Sequence, residues 1–118
     1  MKINVLGAEY TIERKKYTDE PYFEKLCCDG MCSGLTKEIV VCDLHTHPDY
    51  EGDSESRITL AERETLRHEI VHAFFEESGL KGSSLNYQGG WARNEEMVDW
   101  IAIQFTKMLK AFKDADCM

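Results

Sequence analysis

The chain has 118 residues, of which 42 % are hydrophobic and 31 % are charged, and its formal net charge is −8. This length suits one compact domain and is too short for two ordinary ones, so we expect a single domain over residues 1–118. The acidic excess, with no basic cluster to offset it, argues against binding to nucleic acid or to an anionic membrane surface.

Neither the apolar runs nor the cysteines indicate a membrane or secreted protein. No apolar run approaches the roughly 20 residues of a membrane span, and residues 1–7 lack the pattern of a signal peptide. The five cysteines are an odd number, and Cys27 and Cys28 are adjacent. We therefore expect a cytoplasmic protein with reduced thiols and no disulfide framework.

Strand patterns dominate the first half of the chain. Residues 3–6 and 10–13 alternate apolar and polar side chains around Gly7, which predicts two short strands joined in a hairpin. Residues 38–42 are apolar and β-branched, which predicts a buried strand. From residue 43 to 56 the chain is rich in His, Pro, Asp, Gly and Ser, which predicts a surface loop.

A first helix is predicted after this loop. Thr59 and Glu62 form a capping-box pattern, in which the hydroxyl and the carboxylate satisfy exposed amide donors at a helix start. We expect this helix to run from about Leu60 to Ser78 and to end at Gly79.

A second helix follows a predicted loop at residues 80–93. Asn94 offers an N-cap, and the helix is expected to reach about Lys113. Its apolar positions recur at three- and four-residue steps and predict one buried face, formed by Val98, Ile101, Phe105, Met108, Leu109 and Phe112. Strands followed by helices predict an α+β fold.

Residues 68–72 form the pattern His-Glu-x-x-His within the first predicted helix. Positions i and i+4 lie one turn apart on one helix face, so the imidazoles of His68 and His72 can bind one Zn²⁺. Glu69 lies on the neighbouring flank, where its carboxylate can contact a metal-bound water. The pattern predicts a zinc site in which Glu69 is the general base.

A catalytic zinc site normally has three protein ligands, so we expect a third ligand elsewhere in the chain. The start of the second helix supplies Glu95, Glu96 and Asp99. At about 100° per residue Glu96 points away from the apolar face, whereas Glu95 and Asp99 border it one turn apart. We therefore assign Glu95 as the third ligand and Asp99 as the acceptor for the free N–H of a zinc-bound imidazole.

The two motifs carry a resemblance to known peptidases. His-Glu-x-x-His followed by Asn-Glu-x-x-x-Asp at residues 94–99 resembles the gluzincin metallopeptidases, in which the Glu is a ligand and the Asp orients a histidine. The compact spacing, over about residues 59–110, looks more like the small ImmA/IrrE-type peptidases and related phage or prophage proteins. Those proteins typically carry Asn at the position of Asp99.

The resemblance implies a small zincin-like domain with a short antiparallel or mixed sheet, an active-site helix and a C-terminal helix that carries the third ligand. It implies a zinc-dependent metallopeptidase of narrow specificity, in which Glu69 takes the proton of the attacking water. Its partner would be a peptide or protein in the cytoplasm, and no motif specifies an oligomeric state. The substrate would lie along a sheet edge, for which residues 38–42 are the candidate.

An oxyanion stabiliser is the missing part of this expected site. The larger gluzincins carry a further His or Tyr for this purpose, and no matching motif follows Asp99. Tyr87, Arg93 and His47 are candidates, because each lies in a predicted loop from which it could reach the site. The alternative function is a zinc-binding interaction module without turnover.

A second metal site could in principle involve Cys28 and Cys32 together with His45 and His47. Their spacing is not a standard zinc signature, so we favour free thiols and loop histidines. The role of Cys27 is left open by the sequence.

Overall fold

An α+β fold, as predicted, is seen in the computed structural model, which describes residues 1–83 and 94–116, with the side chains of residues 82–83 and 111–114 outside the description. The strands are β1 (Lys2–Val5), β2 (Ala8–Lys16), β3 (Gly30–Ser33) and β4 (Glu38–Asp43). The helices are α1 (Pro21–Leu26), α2 (Glu55–Glu77), α3 (Leu80–Ser83) and α4 (Glu95–Asp114). No helix within these described ranges has the length and apolar character needed to cross a bilayer.

The predicted hairpin is confirmed. β1 and β2 pair antiparallel, and the turn between them contains Gly7 at φ 94°, a backbone conformation that glycine adopts without strain. β2 is longer than residues 10–13, because its charged end pairs in parallel with β4, with Arg14 opposite Val41 and Lys16 opposite Asp43. This non-local pairing extends a strand whose end has no apolar alternation.

The buried strand predicted at residues 38–42 is confirmed as β4, but its expected role as a free edge is wrong. The sheet is mixed with the order β1-β2-β4-β3, so β4 pairs in parallel with β2 and antiparallel with β3. Its backbone donors and acceptors are thus used on both sides. The edge strand next to β4 is β3, which no alternation in the sequence marked.

Helix α1 is absent from the sequence prediction. The Glu20 carboxylate accepts a hydrogen bond from Tyr22 N–H at 3.4 Å, Pro21 occupies the first turn, and Cys27 ends the helix in the left-handed conformation at φ 49°. Six residues are too few to display a helical period. Burial of Phe23 at 1 % exposure anchors the helix on the core.

Helix α2 begins five residues earlier than the predicted Leu60, so the capping box at Thr59 is wrong. Ser54 is the N-cap, and its hydroxyl accepts a hydrogen bond from Arg57 N–H at 3.3 Å. The early start brings Ile58 into the core, where it is buried. The predicted loop at residues 43–56 is also shorter than expected, because β4 extends into it and two 3₁₀ turns, Leu44–Thr46 and Pro48–Tyr50, interrupt it. The predicted helix end at Gly79 is confirmed to within two residues.

Helix α4 begins where it was predicted, with the Asn94 side chain accepting a hydrogen bond from Met97 N–H at 3.0 Å. Among its described side chains, those of Val98 and Ala102 are buried. The prediction that Phe105 belongs to the buried face is wrong, since this side chain is 49 % exposed. Phe112 lies outside the described side chains. Within the predicted loop at residues 80–93, α3 forms a short helix, and residues 84–93 lie outside the described part.

Candidate metal centre and cleft

Helix α2 carries both histidines of the candidate site on one face. Its apolar side packs against the sheet, with Ala73 fully buried and Leu66 and Ile70 in contact with the same core cluster. His68 and His72 point away from this core, and their Nε2 atoms lie 3.0 Å apart. Both side chains are only partly accessible, so two imidazoles converge in a sheltered position.

Helix α4 brings Glu95 to the two imidazoles. Val98 and Ala102 pack α4 against the rest of the chain, and Arg67 of α2 donates from Nε to the Ala102 carbonyl at 3.0 Å. The Glu95 Oε2 atom lies 3.1 Å from His68 Nε2 and 3.3 Å from His72 Nε2. Three side chains from two helices therefore converge on one point.

The separations of these three atoms fit a bound zinc ion. Ligands at about 2.0 to 2.1 Å in tetrahedral geometry are about 3.3 Å apart, and the observed separations are 3.0, 3.1 and 3.3 Å. Two imidazoles and one carboxylate are a donor set of catalytic zinc sites that leave a fourth position open. Glu96, the rejected alternative, is exposed and does not belong to this group.

Asp99 fixes the orientation of His68, as the sequence analysis expected. Its Oδ1 lies 2.6 Å from His68 Nδ1. A carboxylate only accepts, so Nδ1 carries the proton and Nε2 is left with the lone pair that a metal needs. Burial lowers the pKa of His72, which favours its neutral, metal-binding form.

Glu69 is the buried acid of the site, with 6 % exposure. It packs closely under β3, because a Cβ placed on Gly30 would lie 2.8 Å from both Cγ and Oε1 of Glu69. Burial raises the pKa of Glu69 to about 7, an effect that the nearby His68 reduces and Glu95 reinforces. A divalent cation beside it would lower this pKa and favour the carboxylate, the form that can accept a proton.

A cleft of about 700 Å³ contains the histidines, Glu69, Glu95 and Asp99. One wall is the edge strand β3, and the other is a face of α2 that also presents Ala61, Glu64 and Thr65. The strand and the helix run in the same direction. A Cβ on Gly30 would meet Thr65 and Glu69, whereas a Cβ on Gly34 would meet Glu76 further along α2.

Of the three proposed oxyanion stabilisers, His47 is the one within the described residues, and it does not reach the ligands. His47 packs between Tyr17 and Tyr50, with ring centroids 4.4 and 5.5 Å away, and its Nε2 faces Asp29 at 3.5 Å. It is not among the described residues that line the cleft. Tyr87 and Arg93 lie outside the described residues.

Asp29 and Tyr50 are among the cleft residues that the sequence analysis did not assign to the site. The Tyr50 hydroxyl donates to Asp29 Oδ2 at 3.3 Å, across 21 positions of the chain. Neither residue belongs to a motif: Asp29 precedes β3, which pairs with β4, and Tyr50 packs on an apolar cluster that includes Phe23 and Ile58. No local pattern could have identified them.

A second group that combines a histidine with carboxylates lies outside the cleft, at Asp43, His45 and Glu62. Here Arg14 already occupies the centre, with Nη2 at 2.7 Å from Asp43 and 2.6 Å from Glu62. The second metal site considered for the cysteines is not formed among the described residues. Cys27, Cys28, Cys32 and Cys42 are free thiols, and neither candidate metal group contains a cysteine.

Comparisons with known proteins place this chain in no family. Comparison with protein-family models, with curated proteins and with solved structures found no match. A function is therefore proposed from the side chains of the cleft and from the resemblance of their two motifs to the gluzincins.

Proposed function

We propose that the protein is a zinc-dependent metallopeptidase in which His68, His72 and Glu95 hold the metal and Glu69 is the general base. The observation that carries the proposal is the convergence of three ligand atoms within 3.0–3.3 Å of one another in an open cleft. The buried Glu69 carboxylate in the same cleft supports hydrolysis rather than a purely structural metal.

The reaction requires both the metal and the carboxylate. When bound, zinc polarises a scissile carbonyl and lowers the pKa of a bound water toward about 7. Glu69 would accept a proton from the attacking water as the water oxygen adds to the carbonyl carbon. As the C–N bond breaks, the same carboxylic acid returns the proton to the leaving amine. Asp99 keeps the His68 ring oriented throughout.

The substrate would lie along β3. β3 is an edge strand whose residues line the cleft, so we propose that an extended peptide adds to the sheet there and passes beside Glu69 and the metal ligands. Because Gly30 has no side chain, a peptide backbone can approach β3 closely at this position. We thus move the proposed docking edge from residues 38–42 to β3.

The free thiols support a reducing compartment, and we place the protein and its substrate in the cytoplasm. The net charge of −8 favours neutral or basic partners over nucleic acid.

The decisive experiment compares the zinc-loaded protein with its Glu69→Gln variant on a random-sequence peptide library read by mass spectrometry. We expect cleavage to fall by at least about 100-fold, because the general base is lost while the three ligands remain. Zinc content should stay the same in both proteins.

Glu51→Gln serves as the matched control, since it removes an exposed carboxylate outside the cleft. Cleavage retained in Glu69→Gln would contradict the mechanism. Zinc binding without any cleavage by the unmodified protein would favour the alternative, a zinc-binding interaction module.

A further inference from the structure

We propose that one end of the cleft binds a lysine or arginine side chain of the substrate, with Asp29 as the principal contact. This inference rests on the proposed function, because it assumes a peptide lying along β3. It adds a specificity determinant that neither the zinc motif nor Glu69 supplies.

The cleft has two chemically different ends. The start of β3 lies beside Thr65 and Glu69, and Asp29 immediately precedes this strand. The other end of the cleft contains Lys81, which is ion-paired with Glu76. Among the described residues that line the cleft, Lys81 is the one lysine or arginine, so the basic group and Asp29 lie at opposite ends.

The Asp29 carboxylate is held in place by two neighbours. Tyr50 donates from its hydroxyl to Oδ2 at 3.3 Å, and His47 Nε2 lies 3.5 Å from Oδ1. His47 Nδ1 accepts a hydrogen bond from Asp49 N–H at 3.0 Å, so the ring proton lies on Nε2, on the side of Asp29. A carboxylate oriented in advance loses little freedom when it binds a cation.

The surroundings of Asp29 suit a long basic side chain. Met31, Tyr50 and Ala61 pack in the same apolar cluster and also line the cleft, which provides surface for an aliphatic stem. Glu64 lies one turn beyond Ala61 on α2 and adds a second, exposed carboxylate. A charged hydrogen bond at the tip of the stem and apolar contact along it together favour lysine and arginine over neutral or acidic residues.

The cleft itself is built to receive a ligand. Glu69 is only 6 % exposed and lines the same cavity as Asp29. The proposed basic subsite is therefore one end of a cavity that already presents a buried reactive carboxylate, rather than an isolated pair of surface acids.

The test uses the zinc-loaded full chain and the random-sequence peptide library. We expect lysine or arginine to be enriched at one fixed position relative to the cleaved bond. Decapeptides with lysine, N-acetyl-lysine or norleucine at that position should then differ in kcat/KM by about 10- to 100-fold in favour of lysine, the range of a charged hydrogen bond.

Asp29→Asn should reduce the preference for lysine over N-acetyl-lysine to nearly one, with little change for the norleucine peptide. Asp19→Asn is the matched control: it changes the net charge equally, on an exposed residue outside the cleft, and should leave the preference intact. Glu64→Gln is a second variant, at an exposed residue of α2 with no core contact to lose. We expect it to reduce the preference for lysine about threefold.

Tyr50→Phe tests the positioning of Asp29. It keeps the carboxylate but removes the hydroxyl that holds it, so the preference for lysine should fall by about threefold to tenfold while cleavage of the norleucine peptide is maintained. A purely structural role of Tyr50 would instead lower the cleavage of both peptides equally.

The outcomes for the subsite and for the enzyme are separable. Cleavage with no basic preference, or with a preference unchanged in Asp29→Asn, would overturn the subsite and leave the peptidase. Calorimetric binding of the lysine decapeptide that is lost in Asp29→Asn, without cleavage by the unmodified protein, would support the subsite and overturn the peptidase. If the unmodified protein neither bound nor cleaved the lysine decapeptide, both the subsite and the peptidase would be overturned.

Discussion

Two regions of the molecule bring a histidine and carboxylates together, and they differ in what fills their centre. In the cleft, the Nε2 atoms of His68 and His72 and a carboxylate oxygen of Glu95 lie within 3.0–3.3 Å of one another. At the junction of β2, β4 and α2, Asp43 and Glu62 surround the Arg14 guanidinium, and Leu44 N–H also donates to Glu62 at 2.9 Å. The residue types are similar, but the second region is closed by its own cation.

The difference shows that residue types alone do not define a metal site. Arg14 satisfies the carboxylates of Asp43 and Glu62 and so joins β2, β4 and α2. In the cleft, Asp99 positions one imidazole and leaves its second nitrogen available. We interpret the Arg14 region as a structural ion-pair network and propose the cleft as the metal centre.

The largest expected effect separates the two regions directly. His72→Ala should lower zinc affinity by at least about 100-fold, because it removes a ligand and not merely a residue that orients one. His45→Ala should leave one zinc per chain with unchanged affinity. Competition with a chromophoric chelator measures both. Loss of zinc in His45→Ala would contradict the assignment.

Removal of the orienting carboxylate should have a smaller effect. Asp99→Asn keeps the size of the side chain but weakens the hydrogen bond to His68 Nδ1, which should reduce zinc affinity by about 10- to 100-fold. Glu96→Gln, on the same turn of α4 but exposed, is the control. Equal losses in the two variants would show that general charge rather than orientation matters.

The Arg14 network should matter for stability and not for zinc. Arg14→Gln leaves two carboxylates without their cation, and because Arg14 is 45 % exposed we expect a loss of only about 1 kcal/mol of unfolding free energy. Urea denaturation of the zinc-free protein measures it. Lys2→Gln, which breaks an exposed pair with Glu9, should cost less than about 0.5 kcal/mol. An altered zinc affinity in Arg14→Gln would contradict the assignment of this network to stability alone.

The smallest expected effect is a pH dependence in the same network. The pKa of His45 is raised above its ordinary 6.5, mainly by the hydrogen bond with Glu55 and next by the one with Asp43. Folding then favours the protonated ring, so its stabilising contribution is complete below about pH 6.5 and is lost as the pH rises through the raised pKa. The difference in urea midpoint between the unmodified protein and His45→Gln should therefore shrink from pH 5.5 to pH 8.5. A constant difference would contradict this shift.

The sequence predicted best what depends on neighbours along the chain. The spacing within residues 68–72 and the helical angles of Glu95 and Asp99 are local properties, and the structure places all of these side chains together. Helix α4 and the β1–β2 hairpin were likewise marked by periodicity and by Asn94 and Gly7. Local patterns therefore sufficed for most of the candidate metal centre.

The features that were missed depend on contacts between distant residues. The edge position of β3 follows from its pairing with β4, and the true start of α2 depends on burial of Ile58. Phe105 continues the apolar repeat of α4, yet the sheet and α2 offer it no complete cover. Asp29 reaches the cleft only because β3 occupies the edge, so no pattern around residue 29 could reveal it.

The division of the ligands between α2 and α4 has a thermodynamic consequence. Glu95 comes 23 positions after His72, on a helix whose fully buried side chains in its first two turns are Val98 and Ala102. An ion that binds only when both helices are together stabilises their association, by about 2.7 kcal/mol at a free concentration 100 times its Kd. Under the proposed function, the supply of metal in the cell would control how firmly the C-terminal helix is attached.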